Sequence, residues 1–186
     1  MIWVKRRDNT ENWAVYHKGQ NSGTNPEQYT LALNTAGTQN SSGTGTWSTH
    51  SATHFGLGTG SGSYNWTNVN GDKYLALLFT SVDGISKVGS YTGTAASLDI
   101  TTGFQPRFLM IKREDAGSSG THTSWFVLDT SRGWSSGNND AWLRLDNTDT
   151  GGSHDFGSPS SNGFNITAGD SNYNGNGARY IYYAHA

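Results

Sequence analysis

Apolar residues in this chain come in short runs that alternate with polar ones. In "IWVKRRD" (Ile2 to Asp8), Ile2, Val4 and Arg6 share one face of an extended strand, and Trp3, Lys5 and Arg7 share the other. In "LMIKRED" (Leu109 to Asp115), Leu109, Ile111 and Arg113 repeat that arrangement against Met110, Lys112 and Glu114. "YLALLF" (Tyr74 to Phe79) is apolar on both faces, which predicts a central strand of a two-layer structure. The runs are short, rich in Val, Ile, Leu, Trp and Tyr, and bounded by turn residues, so they predict strands. Helical periodicity is missing. The expected class is all-β, as a sandwich or jelly roll.

The same blocks recur in order. "NWAVYHKG" (Asn12 to Gly19) is answered by "SWFVLDTSRG" (Ser124 to Gly133), with Trp13 and Trp125 in register. "YTLALN" is answered by "AWLRLD", "HFGLGTG" by "GFNITAG", and "NVNGDKYLAL" by "NGNGARYIYY". The offsets are 107 (2 to 109), 112 (13 to 125; 29 to 141), 109 (54 to 163) and 106 (68 to 174), and the length differences fall in Gly/Ser/Asn stretches where loops tolerate insertion. The chain therefore reads as two related copies of one unit, 1–84 and 85–186. "VGSYTGTAASLDITTGFQPRF" (Val88 to Phe108) has no partner ahead of residue 2. Either the first copy lacks its leading strand, or this stretch completes a sandwich shared by both. Asn70-Gly71 and Asn176-Gly177 supply tight turns that tolerate positive φ.

Low charge (14%) and abundant Gly, Ser, Thr and Asn would fit disorder, but aromatic residues make up 12% of the chain, and such rings bury large areas in folded cores. A net charge of -2 gives no basic footprint for nucleic acid. No apolar run approaches the roughly 20 residues of a membrane-spanning helix. "MIWVKRRDNTENW" lacks the apolar core of a secretory signal, so export is expected by another route or in an assembled particle. With no cysteine, disulfides and thiol-ligated zinc are ruled out.

Several motifs together, Gly89-Ser90-Tyr91-Thr92-Gly93, Gly103-Phe104-Gln105-Pro106, Asp129-Thr130-Ser131-Arg132-Gly133 and the closing Asn-Gly-x-x-Tyr strand, resemble a repeated β-domain of tailed-bacteriophage structural proteins, notably of marine phages. The resemblance covers Val88 to Ala186 well and Ile2 to Phe79 as a partial copy. It implies a lectin-like sandwich in a virion appendage such as a tail fibre, with other virion proteins as partners. Homo-oligomers, trimers among them, are common in such fibres, although no coiled-coil heptads are present to enforce one.

No residue pattern carries a reaction, and no enzyme, cofactor or metal is expected. The histidines (17, 50, 54, 122, 154 and 185) are scattered; His50 and His54 are four apart, but in a Ser/Thr-rich stretch and not on a helix. "DSNYNG" (Asp170 to Gly175) matches the start of a calcium loop, but its twelfth position is Ile181 where a bidentate Glu belongs. "GTGSGS" (Gly58 to Ser63) leads into no helix, so it reads poorly as a phosphate cradle. Asp146 and Asp149 share one loop, "LDNTDTGG", and do not flank a cleft as glycosidase acids must.

"DTSRGW" (Asp129 to Trp134) is the most distinctive polar cluster. As a binding surface it offers the donor fork of Arg132, the acceptor Asp129 and the flat face of Trp134. As a plain turn it would pair Asp129 with Arg132 and pack Trp134. Trp3, Trp13 and Trp125 lie in apolar strand patterns and are expected in the core. Trp134 and Tyr173 border polar loops and are expected to stay partly exposed. Asp129, Arg132, Trp134, Tyr173 and Asn174 are therefore the candidate ligand-binding residues. Host-surface glycan recognition is the leading functional expectation, since Asn/Ser/Thr/Gly loops with Trp and Tyr suit polyols. A head-decoration or tail-scaffold subunit without a ligand is the alternative, with a secreted carbohydrate-binding module third.

Overall fold

The computed structural model describes residues 1–62, 64–115, 123–137, 139–149 and 151–186. Ser63, His122 and Thr150, which are among the residues discussed above, lie outside the described residues. The first half carries β1 (Ile2–Arg6), β2 (Ala14–Tyr16), β3 (Tyr29–Ala32), β4 (Asn40–Ser41), β5 (Trp47–Ser48), β6 (Gly56–Leu57) and β7 (Tyr74–Leu78). The second carries β8 (Ser86–Thr92), β9 (Leu98–Thr101), β10 (Phe108–Arg113), β11 (Trp125–Asp129), β12 (Asp140–Arg144), β13 (Gly152–His154), β14 (Pro159–Ser160), β15 (Gly163–Ile166) and β16 (Arg179–His185). The helical elements among the described residues are short 3-10 turns. The fold is all-β and antiparallel.

One sheet has the order β4-β3-β2-β1-β7 and another the order β13-β12-β11-β10-β16-β8. In each, three consecutive strands form a meander and a later strand returns beside the first, a Greek-key path. The registers follow the offsets of the sequence echo. Trp3 pairs with Val15 as Met110 pairs with Val127, and Arg6 with Tyr74 as Arg113 with Tyr180. Side-chain bonds follow too: the Trp13 N–H donates to Asn34 Oδ1 and the Trp125 N–H to Asp146 Oδ1. Gly71 (φ 85°) and Gly177 (φ 70°) adopt the left-handed conformation expected of the Asn-Gly turns.

Strand alternation sets three cores. Val15, Leu31, Val88, Met110, Trp125 and Ile181 form a shared middle core, with Trp3, Phe79 and Tyr183 packed against it, so the two sheets lie face to face as a sandwich. The opposite face of the first sheet (Ile2, Val4, Ala14, Ala32) packs on Trp47 from the β5–β6 hairpin and on Trp66. The opposite face of the second (Leu109, Ile111, Phe126, Leu128, Tyr180, Tyr182) packs on Phe164 and Ile166 of the β14-β15-β9 sheet. Hydrogen bonds cross the seam between the halves. Trp125 Nε1 donates to the Ala32 carbonyl at 2.8 Å and His17 Nε2 to the Tyr182 carbonyl at 3.2 Å.

Several expectations about burial need correction, Tyr173 (1% exposed where partial exposure is expected) among them. β7, read as a central strand, is an edge: among the described strands it pairs with β1 alone, and Leu75, Leu77 and Leu78 are exposed. The reason is topological, since the returning strand of the second sheet is covered by β8, whereas no described strand lies outside β7. Trp13 is only partly buried and belongs to none of the cores. Trp134, expected at a loop surface, is a core ring, as detailed below. Among the described strands, the stretch Val88 to Phe108 pairs within the second half, through β8 on β16, β9 on β15, and the start of β10.

Candidate functional site

The candidate ligand-binding residues do not form one surface. Asp129 caps the 3-10 turn Thr130–Arg132, its side chain accepting from the Ser131 N–H at 2.7 Å. Arg132 is exposed and forms no ion pair with Asp129 among the described residues. Gly133, at φ 109°, reverses the chain, so Trp134 turns inward. Its side chain is 1% exposed, lies edge-on to Phe164, and donates from Nε1 to the Gly157 carbonyl at 3.0 Å.

Asn174 is fully buried. Its amide donates to the Ala96 and Thr167 carbonyls, and its Oδ1 accepts from the Thr94 N–H. Its sequence counterpart Asn68 likewise donates to the Gly58 carbonyl, so this residue type serves the fold in both halves. Tyr173 is buried as well, donating its hydroxyl to the Asp155 carbonyl at 2.9 Å. Burial, with the carboxylates of Asp170, Asp155 and Asp140 nearby, pushes its phenol well up, which keeps that proton in place.

Tyr173 nonetheless contributes to a site. A cleft of about 300 Å³ opens at the β12 end of the second sheet, lined by Phe126, Trp142, Arg144, His154, Asp170 and Tyr173 among others. Phe126, Phe156 and Tyr173 form its apolar side, with ring centroids 5.2 Å (Phe126–Phe156) and 4.2 Å (Phe156–Tyr173) apart. The buried Asp140 carboxylate holds Phe156 in place by accepting its N–H at 2.9 Å. Burial raises the Asp140 pKa, against the N–H bonds it receives.

The polar side is built on β12 and β13. Trp142 and Arg144 alternate onto one face, and the Arg144 guanidinium lies 4.8 Å from the Trp142 ring and 5.9 Å from the Phe126 ring. Asp149 steadies it at 3.3 Å, while its Nε has no partner among the described residues. His154 Nε2 is 3.4 Å from Asp170 Oδ2, and Asp170 Oδ1 takes the Asn172 N–H. The cleft thus offers flat faces, a planar donor fork and an acceptor, the chemistry that stacks on and hydrogen-bonds a polyhydroxylated ligand.

Trp142 and Arg144 were missed in the sequence because they sit in a block read only for its echo. The signal was in the difference between blocks: "YTLALN" puts Thr30 and Ala32 where "AWLRLD" puts Trp142 and Arg144. The other motifs serve local structure. Asp146 accepts from the Trp125 N–H while Asp149 holds Arg144. His50 Nδ1 accepts from the Gly56 N–H, and His54 Nδ1 lies against Ser51 Oγ.

A family described as a domain of unknown function, DUF7483, matches residues 1–186. The chain belongs to that family. No curated protein and no solved structure matches it. For this DUF7483 domain, the functional reading therefore rests on the geometry of the cleft.

Gly152 tests how tightly that geometry is set. It stands opposite Trp142 in the β12–β13 register, and a Cβ there would lie 2.4 Å from Trp142 Cζ2. Gly152→Ala should displace the indole and cost about 1–3 kcal/mol, the usual range for overpacking. Urea unfolding with Trp fluorescence measures it. A loss below about 0.5 kcal/mol would mean the ring is free to move.

Proposed function

We propose that this chain is a non-enzymatic virion structural protein, a tail fibre or other appendage component built from two related β-units, that recognises a host-surface glycan through the Trp142–Arg144 cleft. The observation that carries the reading is the cleft itself. Aromatic rings stand beside Arg144, His154 and Asp170, at the β12–β13 end of the second sheet. The motif resemblance supports the appendage setting. Asp129, Arg132, Trp134 and Asn174 are reassigned to structural or solvent-facing roles, and Tyr173 remains as part of the cleft floor.

A glycan array followed by titration of the best hit tests this. Trp142→Ala and Arg144→Ala should each weaken binding at least about tenfold, equivalent to roughly 1.4 kcal/mol. Unchanged affinity in both variants would remove the cleft from the reading. Failure of every glycan to bind would favour the second reading, a head-decoration or tail-scaffold subunit. That reading has its own support in the exposed leucines of β7.

A further inference from the structure

The large hydrophobic side chains left exposed among the described residues are Leu75, Leu77, Leu78, Val82, Ile85 and Leu145. Five of these six fall within eleven residues, on β7 and the turn after it. Exposed apolar side chains clustered on one strand and its following turn are unusual on a monomer surface and point to an interaction site.

The backbone of β7 shows what it is prepared to meet. Met1 and Phe79 exchange both of their backbone hydrogen bonds, each at 2.9 Å, so they form a hydrogen-bonded antiparallel pair. Alternation places Leu77 and Leu75 in the same class, bonded inward to Trp3 and Lys5. The N–H and C=O groups of Tyr74, Ala76 and Leu78 therefore face away from β1, on the side where no described strand pairs. Their counterparts Tyr180, Tyr182 and Ala184 face β8, in register with Tyr91, Gly89 and Lys87. Edges are normally protected by charge, proline or a bulge. Tyr74–Leu78 has neither a charged residue nor a proline.

We propose that β7 is a self-pairing edge, at which two copies of this chain join β7 to β7 antiparallel about a two-fold axis through Ala76. A second copy has no spare β8 to offer, because moving that strand would strip its own β16. It does offer its own β7. Centring on Ala76 is the register that uses all the outward groups, with Tyr74 against Leu78 of the other copy and Ala76 against Ala76. Leu75 then stands opposite Leu77 of the other copy on the face of the middle core. An uncharged strand meets itself without like-charge repulsion, and a two-fold contact closes on two copies. This inference is independent of the glycan cleft.

Sedimentation velocity and light scattering on the full chain test it. A mass near 40 kDa is expected, twice the 20.0 kDa of one chain. Leu75→Lys and Leu78→Lys, on opposite faces of the strand, should each raise the dimer dissociation constant at least tenfold, with circular dichroism confirming the fold. Ser136→Lys, on an exposed loop of the other half, should leave it unchanged. The chain has no cysteine, so Ala76→Cys introduces a single thiol per copy. Hydrogen-bonded pairs lie about 5.5 Å apart at Cα, within disulfide range, so mild oxidation should give a covalent dimer. A monomer at all concentrations, a trimer, a dimer indifferent to both lysines, or a dimer that Ala76→Cys does not cross-link would each overturn the proposal.

Discussion

Replacing Trp134 with alanine is expected to lower folding stability by about 3–5 kcal/mol, the range for removing a large aromatic ring from a core. The ring is 1% exposed and shares its core with Phe104, Phe156 and Phe164, beneath the small β14-β15-β9 sheet. Its Nε1 proton goes to the Gly157 carbonyl, and Gly157 sits at φ 105°, so truncation also leaves a buried acceptor at a specialised turn. Two residues earlier, Arg132→Ala removes an exposed side chain and should change stability by less than about 0.5 kcal/mol. Urea unfolding of the two variants side by side decides the matter. A loss under about 1 kcal/mol for Trp134→Ala would restore the surface role that its loop position suggested.

That contrast shows what the sequence could and could not carry. Alternation in "IWVKRRD" and "LMIKRED" grouped Ile2 with Val4 and Leu109 with Ile111, and each pair shares one core, because strand period is a local property. The burial of Trp134 is not local. It depends on a three-stranded sheet drawn from residues 98–101 and 159–166, which covers a segment that reads as a polar loop. β7 failed for the converse reason: five apolar residues in a row look buried whether or not a neighbouring strand arrives to cover them. Asn174 misled through its polarity, since a buried amide is stable once its groups are paired, and the partners come from residues 94, 96 and 167. The echo of Asn68 in the first half was the available sign that this residue serves the fold. Among the candidate residues, Tyr173 alone lines the cleft. The polar side of that cleft joins Trp142 and Arg144 of β12 to Asp170, a proximity that only sheet register and loop return can create.

Acidification should destabilise the folded chain through His17. This imidazole is fully buried at the seam between the halves. It donates from Nε2 to the Tyr182 carbonyl and accepts the Gly19 N–H at Nδ1, at 2.9 Å. The bond from Gly19 requires the neutral ring, because an imidazolium keeps its donor for Tyr182 but has no lone pair left at Nδ1. Burial is the main cause that lowers its pKa from 6.5 to about 3. Between those values the unfolded chain binds a proton that the folded chain refuses, so protons favour unfolding. The contribution is complete above pH 6.5, declines as pH falls, and levels off below about 3. Its full size is on the order of 5 kcal/mol. Glu114 acts in the opposite sense, because burial raises its pKa against the pull of Arg179, and acid relieves that carboxylate. Wild type and His17→Gln should therefore be compared, since every other group is common to both. The wild-type urea midpoint should fall steeply from pH 6.5 to 4, and the His17→Gln midpoint should fall less over the same interval. Equal slopes would mean that His17 takes up its proton without opening the seam.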